Sequence, residues 1–440
     1  MIALALDRPD LVAPVDNLRR GACPALSAPM MTGDGLLARV ALADAVTPLQ
    51  LEALCRLALT HGNGMIDVTA RGNLQIRGLT QATASLLDAD VRALDLPLRE
   101  GLAVETPPLS GLDPSEIADP RPLADAIRQG ARTILGLAPK LSVVVDGSGQ
   151  LGLSGLLADV RLVATRTDDG LRWKMLLGGT EESGHVFNVL RETLAIEATL
   201  DLLHTLAMRG PKARGRDLTD GLPANQAHPY ATSPFGLFPL SHNLFAAGIG
   251  PAFGQASAEH LIALCGEAER LGMGRVLPAL DHALLFVGLE AAVRALQSFA
   301  ASHGFVIAAD DPRSHIAACP GSPACASGTI APHEIAAQAA RDCPGLLDGS
   351  FKLHVSGCPK GCAHPQPTAL SLCGVAEGVL LVEGGKAADL PFASIDFADT
   401  NATLLRLSDL VTSEKREGET SAACLARLGP ARLAAATGQS

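Results

Sequence analysis

The stretch LEALCRLALTHGNGMIDVTARGNLQIRGL (residues 51–79) decides the fold, because a shift of 210 positions lays it on LIALCGEAERLGMGRVLPALDHALLFVGL (261–289). Leu51, Ala53, Leu54, Cys55, Ala58, Gly62, Gly64, Leu74, Gly78 and Leu79 meet Leu261, Ala263, Leu264, Cys265, Ala268, Gly272, Gly274, Leu284, Gly288 and Leu289. Apolar helix positions and glycines are what a shared backbone retains. The chain therefore contains an internal duplication.

Each copy has the same local grammar. Thr47 is an N-cap with Pro48 at the first helical position, and Leu51, Leu54, Cys55 and Ala58 follow at helical spacing. Gly62 ends the helix, and Ser257 and Gly272 take the cap and stop roles in the second copy. A strand precedes each helix (36–42 and 244–249), and two short strands and another helix follow it. This β-α-β-β-α order is most of a ferredoxin-like unit. Two such units predict a pseudo-two-fold arrangement with a site between them. Cys55 and Cys265 fall on the apolar helix faces and are expected to be small buried hydrophobes.

Between the copies, 122–136 and 185–207 read as helices, and 141–145, 159–165 and 171–177 as strands. Arg209–Pro234 is rich in Pro, Gly and cations. It reads as a linker or a loop over a site, with Arg209, Lys212, Arg214 and Arg216 as candidates to close over a ligand. The fold class is α+β: duplicated ferredoxin-like half-domains at 22–110 and 226–305, with a central α/β substrate-pocket segment at 111–225. A cysteine-bearing α/β segment at 306–400 and a helical appendix at 401–440 complete it.

Of the 440 residues, 48% are hydrophobic and 18% charged, which supports a sizeable core and excludes wholesale disorder. A net charge of −11 argues against a broad nucleic-acid footprint. No apolar run reaches the roughly 18 residues of a membrane helix. The opening MIALALDRPD lacks the pattern of a signal peptide, so the cytoplasm is expected. Internal pseudo-symmetry makes a monomer sufficient. Ten cysteines in such a chain point to metal, cluster or redox roles, or to burial, rather than to disulfides.

The cysteines are unevenly placed. Cys319-Pro-Gly-Ser-Pro-Ala-Cys325 and Cys358-Pro-Lys-Gly-Cys362 give four thiols in two close pairs, as a [4Fe–4S] cluster requires. Pro and Gly hold the chain in turns and leave N–H groups free for the cluster sulfurs, and Lys360 favours thiolate. A zinc Cys₄ site and buried unligated thiols are the rivals, although zinc knuckles use tighter loops. Cys343 and Cys373 are spare candidates, with Cys373 in the strand-like run TALSLCG. Cys23, Cys55, Cys265 and Cys424 stand alone.

ACPGSPACA (318–326) with SGCPKGCAHP (356–365) resembles the cluster signature of the sulfite and nitrite reductase superfamily. The duplicated ferredoxin-like units do so too, as does Thr69-Ala70-Arg71-Gly72-Asn73-Leu74-Gln75-Ile76-Arg77-Gly78, similar to that superfamily's T-x-R-x-x-x-Q motif at the tetrapyrrole pocket. Within it the chain looks most like the precorrin-3B synthases of aerobic cobalamin biosynthesis. Pro139-Lys140-Leu141-Ser142 keeps only the first cation of the reductases' Lys-x-Lys, and Ala363-His364-Pro365 stands where they carry Ala-Arg-Pro. These departures weigh against sirohaem binding and oxyanion reduction.

The resemblance implies a monooxygenase that uses O2 to hydroxylate precorrin-3A at C-20, with a ring A acetate closing a γ-lactone. It also implies a [4Fe–4S] cluster and a mononuclear non-haem iron, with the tetrapyrrole as substrate. A precorrin is fringed with carboxylates, so Arg71, Arg77, Lys140 and Gln75 are its candidate binding residues. Fe(II) oxygenases favour two His and one carboxylate, for which His364, Asp281 and His282 are candidates, with His185 and His242 as further options. Asp281 and His282 duplicate Arg71 and Gly72, so one half looks built for carboxylates and the other does not. A sirohaem-dependent reductase with Cys362 bridging cluster and haem is the alternative enzyme. A non-catalytic Fe–S carrier or tetrapyrrole-binding module is the alternative from another class. No G-x-G-x-x-G fingerprint appears, so electrons are expected from a ferredoxin or an NAD(P)H-linked reductase.

Overall fold

The computed structural model describes residues 24–226 and 232–438. Cys23, the opening decapeptide, the expected limits at 22 and 440 and part of the Arg209–Pro234 loop lie outside them. The first copy runs β1 (Met30–Thr32), β2 (Gly35–Val40), α1 (Pro48–His61), β3 (Met65–Val68), β4 (Leu74–Leu79) and α2 (Gln81–Ala93). Helix α1 starts where the sequence puts it. Thr47 Oγ1 accepts the Gln50 N–H (3.1 Å) and Gln50 Oε1 accepts the Thr47 N–H (2.9 Å), a reciprocal capping box.

The central segment holds β5 (Ala103–Glu105), α3 (Arg121–Ala131), β6 (Ser142–Asp146), β7 (Val160–Thr167), β8 (Gly170–Leu177), β9 (His185–Leu190) and α4 (Glu192–Arg209). The helix expected over 185–207 thus begins only at Glu192. HVFNVL, β-branched and aromatic, adds instead to the open edge of β8 as an antiparallel strand.

The second copy runs β10 (Gly236–Pro239), β11 (Leu244–Ile249), β12 (Gln255–Ser257), α5 (Ala258–Arg270), β13 (Arg275–Pro278), β14 (Leu284–Leu289) and α6 (Glu290–Ser302). After it come β15 (Ile316–Ala318), α7 (Pro332–Asp342), β16 (Leu353–Ser356), β17 (Thr368–Val375), β18 (Gly378–Gly385), β19 (Ala393–Ile395), α8 (Thr400–Glu414) and α9 (Ser421–Ala436).

The two ferredoxin-like units exchange edges. Strand β12 pairs with β3 so that Ala256 faces Ile66, and Val46 bridges Val276 in β13, the same contact displaced by 210 in each partner. Helices α1 and α5 pack face to face inside this exchange. Cys55 and Cys265 are each 0% exposed in the shared core, and burial pushes the Cys265 thiol up to about 12. Both are buried hydrophobes, as expected. Arg71 bridges Leu280 and the Asp281 N–H donates to the Ala70 carbonyl (3.1 Å), so the duplicated 70–71 and 280–281 turns meet at the pseudo-two-fold axis.

The repeat extends through the other two sheets. One is ordered β5-β6-β7-β8-β9 and the other β15-β16-β17-β18-β19, each with two parallel pairings followed by two antiparallel ones. Val144↔Arg161, Val145↔Leu162 and Asp146↔Val163 recur as His354↔Ser371, Val355↔Leu372 and Ser356↔Cys373, again 210 apart. Each half is therefore a ferredoxin-like unit followed by a five-stranded mixed sheet. The stretch expected as an appendix is packed into the second of these sheets: Leu404, Leu407, Val411, Leu425 and Leu433 share one core with Val355, Leu370 and Leu372. Among the described residues, no helix is long and apolar enough to cross a membrane.

Candidate active site

Ligands in sheets with parallel strands bind beyond the strands' carboxyl ends, where backbone groups are unpaired. Cys319 directly follows β15, and Gly357-Cys358 directly follows β16. The Cys319 Sγ accepts the Gly357 N–H at 3.2 Å. Cys358 is 9% exposed, Cys319 and Cys325 are half-buried, and Cys362 is exposed at the rim. Burial raises the Cys319 pKa against the pull of the Gly357 and Gly321 N–H groups. Surrounding protein first, then the neighbouring Cys319, Cys358 and Cys325 thiols, raise that of Cys362. Lys360 Nζ donates to Ser327 Oγ (2.5 Å), tying the two cysteine loops together.

The loops meet through glycines. A Cβ on Gly357 would lie 3.0 Å from the Gly321 Cα and 3.5 Å from the Cys319 Sγ, and Gly321 is itself at φ +57°. This cradle and its four thiols fit an iron–sulfur cluster. Cys343 and Cys373 are both 0% exposed, and burial first of all pushes each up to about 11.

The same strand ends in the first half open on a cleft instead. Thr106, Pro107, Pro108 and Ser110 beyond β5, with Leu153 and Leu156 beyond β6, line about 1030 Å³ of open volume together with Arg71, Arg99, Arg121, Arg128 and Arg275. An adjoining cavity of about 640 Å³ of open volume is lined by Arg71, Lys140, Ser142, Asp159, Arg214 and Arg216. Eight cations therefore line two cavities that share Arg71, in a chain of net charge −11. Most are pre-paired: Arg99 with Glu105 (2.5 Å), Arg121 with Asp119 (2.7 Å), Arg128 with Asp125 (2.5 Å), Arg275 with Asp44 (3.7 Å). The exposed Arg71 and Lys140 side chains, by contrast, have no hydrogen-bond or ion-pair partner among the described residues. The sequence missed Arg99, in a loop, Arg121 and Arg128, on α3, and Arg275, at the start of β13, which share no motif.

Arg214 is committed elsewhere. Its guanidinium bonds both oxygens of Asp159 (2.8 and 2.9 Å) and the Lys140 carbonyl (3.1 Å), so it braces the floor of the smaller cavity rather than closing over it. Arg209 is likewise tied to the Asp217 carbonyl (2.7 Å), while Arg216 and Lys212 remain exposed. Asp159, 3% exposed, also accepts the Ser142 and Gly215 N–H groups (3.0 and 2.8 Å). Asp159→Ala removes a buried ion pair and orphans these donors, so urea unfolding should show a loss of about 3 kcal/mol. A loss within experimental error of zero would mean that water replaces the carboxylate.

The loop after β5 carries a titrating group. Burial, then the Asp119 and Asp113 charges, push Glu116 up to about 7 against the Gly111 N–H that its Oε2 accepts (2.8 Å). A carboxyl raised above its unfolded value favours the folded state while protonated, and that contribution disappears as the pH climbs from about 4.5 to about 7. Glu116→Gln should therefore stabilise the protein at pH 8 by roughly 1 kcal/mol after solvent screening, and not at pH 4. Thermal melts at the two pH values check this.

Arg77, expected at the substrate, is not in the cleft. It is 4% exposed and fully engaged with Asp34, Asp67 and the Ala324 carbonyl, because β4 turns it to the face opposite Leu74 and Ile76. Gln75 is half-buried on that same face, in register with Asp67. The expected iron ligands do not assemble. His282 Nδ1 lies 2.6 Å from the Val68 carbonyl, Asp281 is 3.7 Å from Lys352, and His364 stacks edge-on to His354 at 5.9 Å. His185 opens β9, and His242 sits in a turn at φ +60°. Among the described residues no three His, Cys, Asp or Glu side chains converge on a single ion. They do not fit a mononuclear iron.

Comparison with known proteins bears on the family and the fold. The precorrin-3B synthase of a Sinorhizobium species is 41% identical over 437 residues, covering 96% of this chain and 95% of that protein. The chain belongs to the precorrin-3B synthase family. Its membership joins cobalamin biosynthesis to an Fe–S reductase superfamily, since residues 29–94 match the nitrite/sulfite reductase ferredoxin-like half domain. The ferredoxin–nitrite reductase of Synechococcus elongatus is 23% identical, covering 77% of each chain. In structure, the NirA protein of Mycobacterium tuberculosis superposes with a TM-score of 0.71 at 16% identity, covering 90% of this chain and 84% of that one. The sulfite-reductase-type α+β fold expected from the duplication is thereby shown, and a precorrin-3B synthase relative of this closeness makes the chain an enzyme.

Proposed function

We propose that this enzyme is a monooxygenase that hydroxylates precorrin-3A at C-20 with O2, the ring A acetate then closing the γ-lactone. Cys319, Cys325, Cys358 and Cys362 would hold a [4Fe–4S] cluster. One observation carries the substrate half of this reading: Arg71 and Lys140, whose side chains have no partner among the described residues, stand among six more cations lining two adjoining cavities in an acidic chain. A macrocycle fringed with carboxylates is the ligand such a cleft suits.

The residues divide the work. The planar fork of Arg71, at the junction of both cavities, takes one carboxylate bidentately, and Lys140 takes another as a point charge. The paired arginines add a positive field that draws the anion in without competing for one position. Leu153, Leu156, Leu277 and Leu280 give the macrocycle an apolar edge. A bound cluster supplies single-electron transfer, fed by a ferredoxin or an NAD(P)H-linked reductase. The protein's own part is to fix the macrocycle so that one ring carbon is presented. We place the enzyme in the cytoplasm as a monomer.

The test is an absorption spectrum of anaerobically purified protein, with iron, acid-labile sulfide and EPR on the same sample, followed by precorrin-3A under oxygen with reductant. A broad brown Fe–S spectrum and a product heavier by one oxygen atom are expected. Sharp tetrapyrrole bands with high-spin haem signals, or sulfite or nitrite turnover, would overturn the reading in favour of a sirohaem reductase. A cluster without turnover would leave a carrier.

A further inference from the structure

The outer face of the first ferredoxin-like sheet differs from its duplicate in a way the fold does not require. In the second copy that face carries Leu277, Leu285 and Val287, buried against Leu109 and Phe235. The residues 210 positions earlier are Asp67, Gln75 and Arg77. The backbone sites correspond, since Leu277 faces Leu285 across the ladder as Asp67 faces Gln75. One backbone is thus covered by leucine and valine in one half, and by a carboxylate, an amide and an arginine in the other.

Arg77 uses its whole fork. Nε and Nη2 donate to Asp34 (2.9 and 3.0 Å), Nη1 donates to Asp67 (2.9 Å), and Nη2 also donates to the carbonyl of Ala324 (2.9 Å). Ala324 immediately precedes Cys325, and its carbonyl also accepts the Gly33 N–H (3.1 Å). Gly33 has no room for a side chain, because a Cβ there would lie 2.6 Å from the Ala326 nitrogen. Burial raises the Asp34 carboxyl, but the bonds from Arg77 and Thr32 outweigh it and hold it below the usual range. Asp67 also accepts from Gln255 Nε2 (2.7 Å), which belongs to the second copy.

Buried ion pairs are usually no more stabilising than apolar residues of the same volume, and the second copy shows that leucine and valine pack this face. The ions are therefore retained for what they hold. We propose that Arg77, fixed by Asp34 and Asp67, is a positioning residue of the iron–sulfur centre that locks the Ala324–Cys325 peptide so the Cys325 thiol faces its three partners. The inference rests on the cluster reading above. Arg77 acts on the loop, not on the substrate.

The test gives the first copy the residues of the second. Arg77→Val/Asp67→Leu, Arg77→Lys and Cys325→Ala are purified anaerobically, reconstituted with iron and sulfide, and compared by iron and sulfide content, EPR line shape and thermal melting of the cluster-free protein. The double variant leaves Asp34 without its guanidinium, so the cluster-free protein should melt below the parent while still folding, and it should hold its cluster about tenfold less tightly, as removal of a ligand's supporting contact does. Arg77→Lys, which keeps the cation but loses the fork, should regain cluster content with an altered EPR line shape. A parent-like cluster content and line shape in the double variant, beside a depleted Cys325→Ala, would overturn the clamp alone. Parent-like content in Cys325→Ala would overturn the cluster reading itself. If the double variant fails to fold, Arg77→Lys decides: an unchanged line shape sinks the proposal.

Discussion

Cys358→Ala protein is expected to purify folded, to lack the cluster and to have no monooxygenase turnover, while still binding precorrin-3A. The turn around residue 358 does not depend on the thiol. The Cys358 carbonyl accepts the Ser356 hydroxyl (2.7 Å) and the Gly361 N–H (3.4 Å), bonds that survive the substitution. Cys358 as a whole is only 9% exposed, so no solvent ligand is expected to replace its thiol. With three thiolates left, a four-iron cluster loses a corner. The exposed Cys362 makes the contrast: Cys362→Ser should keep part of the iron, because water or the serine oxygen can complete the coordination. Iron and sulfide assays, with a tetrapyrrole titration on the same samples, measure both. A full cluster in Cys358→Ala would remove this residue from the ligand set.

The two cysteine pairs stood out in the sequence by their spacing, and the fold places both just beyond the adjacent strands β15 and β16. The ferredoxin-like duplication was legible because its helices kept Leu51, Leu54 and Cys55 against Leu261, Leu264 and Cys265 in one shared core. The rest of the repeat was hidden. Strands β6 and β16 keep their register but not their residues, with Val144 opposite His354 and Asp146 opposite Ser356 in the alignment. A strand's backbone pairing does not dictate which side chains it carries, even where all are buried as in β6 and β16, so sequence identity fades where geometry persists. Arg77 was visible as a cation but not as a buried one. Two-residue spacing put it and Gln75 on one face of β4, and nothing local reveals that a loop 247 residues away covers that face.

The duplication also orders the function. A two-fold scaffold offers two equivalent sets of strand ends, and here they have diverged. The second half's loops carry the four thiols, and the first half's loops open on the cationic cleft. In the first half, the place of the cysteine loops is taken by Asp113, which accepts the Ser115 N–H (2.9 Å) and the Gln150 side chain (2.9 Å) and so links the same two loops without a metal. The proposed cluster site and the proposed substrate site would thus arise from one ancestral arrangement, related by the axis on which Arg71 and Asp281 lie.

Arg71→Ala should weaken precorrin-3A binding without disturbing the iron centre. A charge-assisted pair to a carboxylate contributes about 2 kcal/mol, so Kd should rise about thirtyfold. Lys140→Ala should cost less, since an exposed ammonium on a flexible stem is strongly hydrated and screened. Arg71→Lys should recover only part of the loss, because a point charge cannot reproduce the bidentate fork. The parent's affinity should fall as ionic strength rises through the range where the Debye length shrinks to about 8 Å, and that slope should flatten in the variant. The unpaired state of Arg71 sharpens the prediction. Its removal orphans no buried carboxylate and breaks no packing, so the melting temperature should not move and the whole effect should appear in KM. A fall in kcat with KM unchanged would instead assign Arg71 to the reacting carbon.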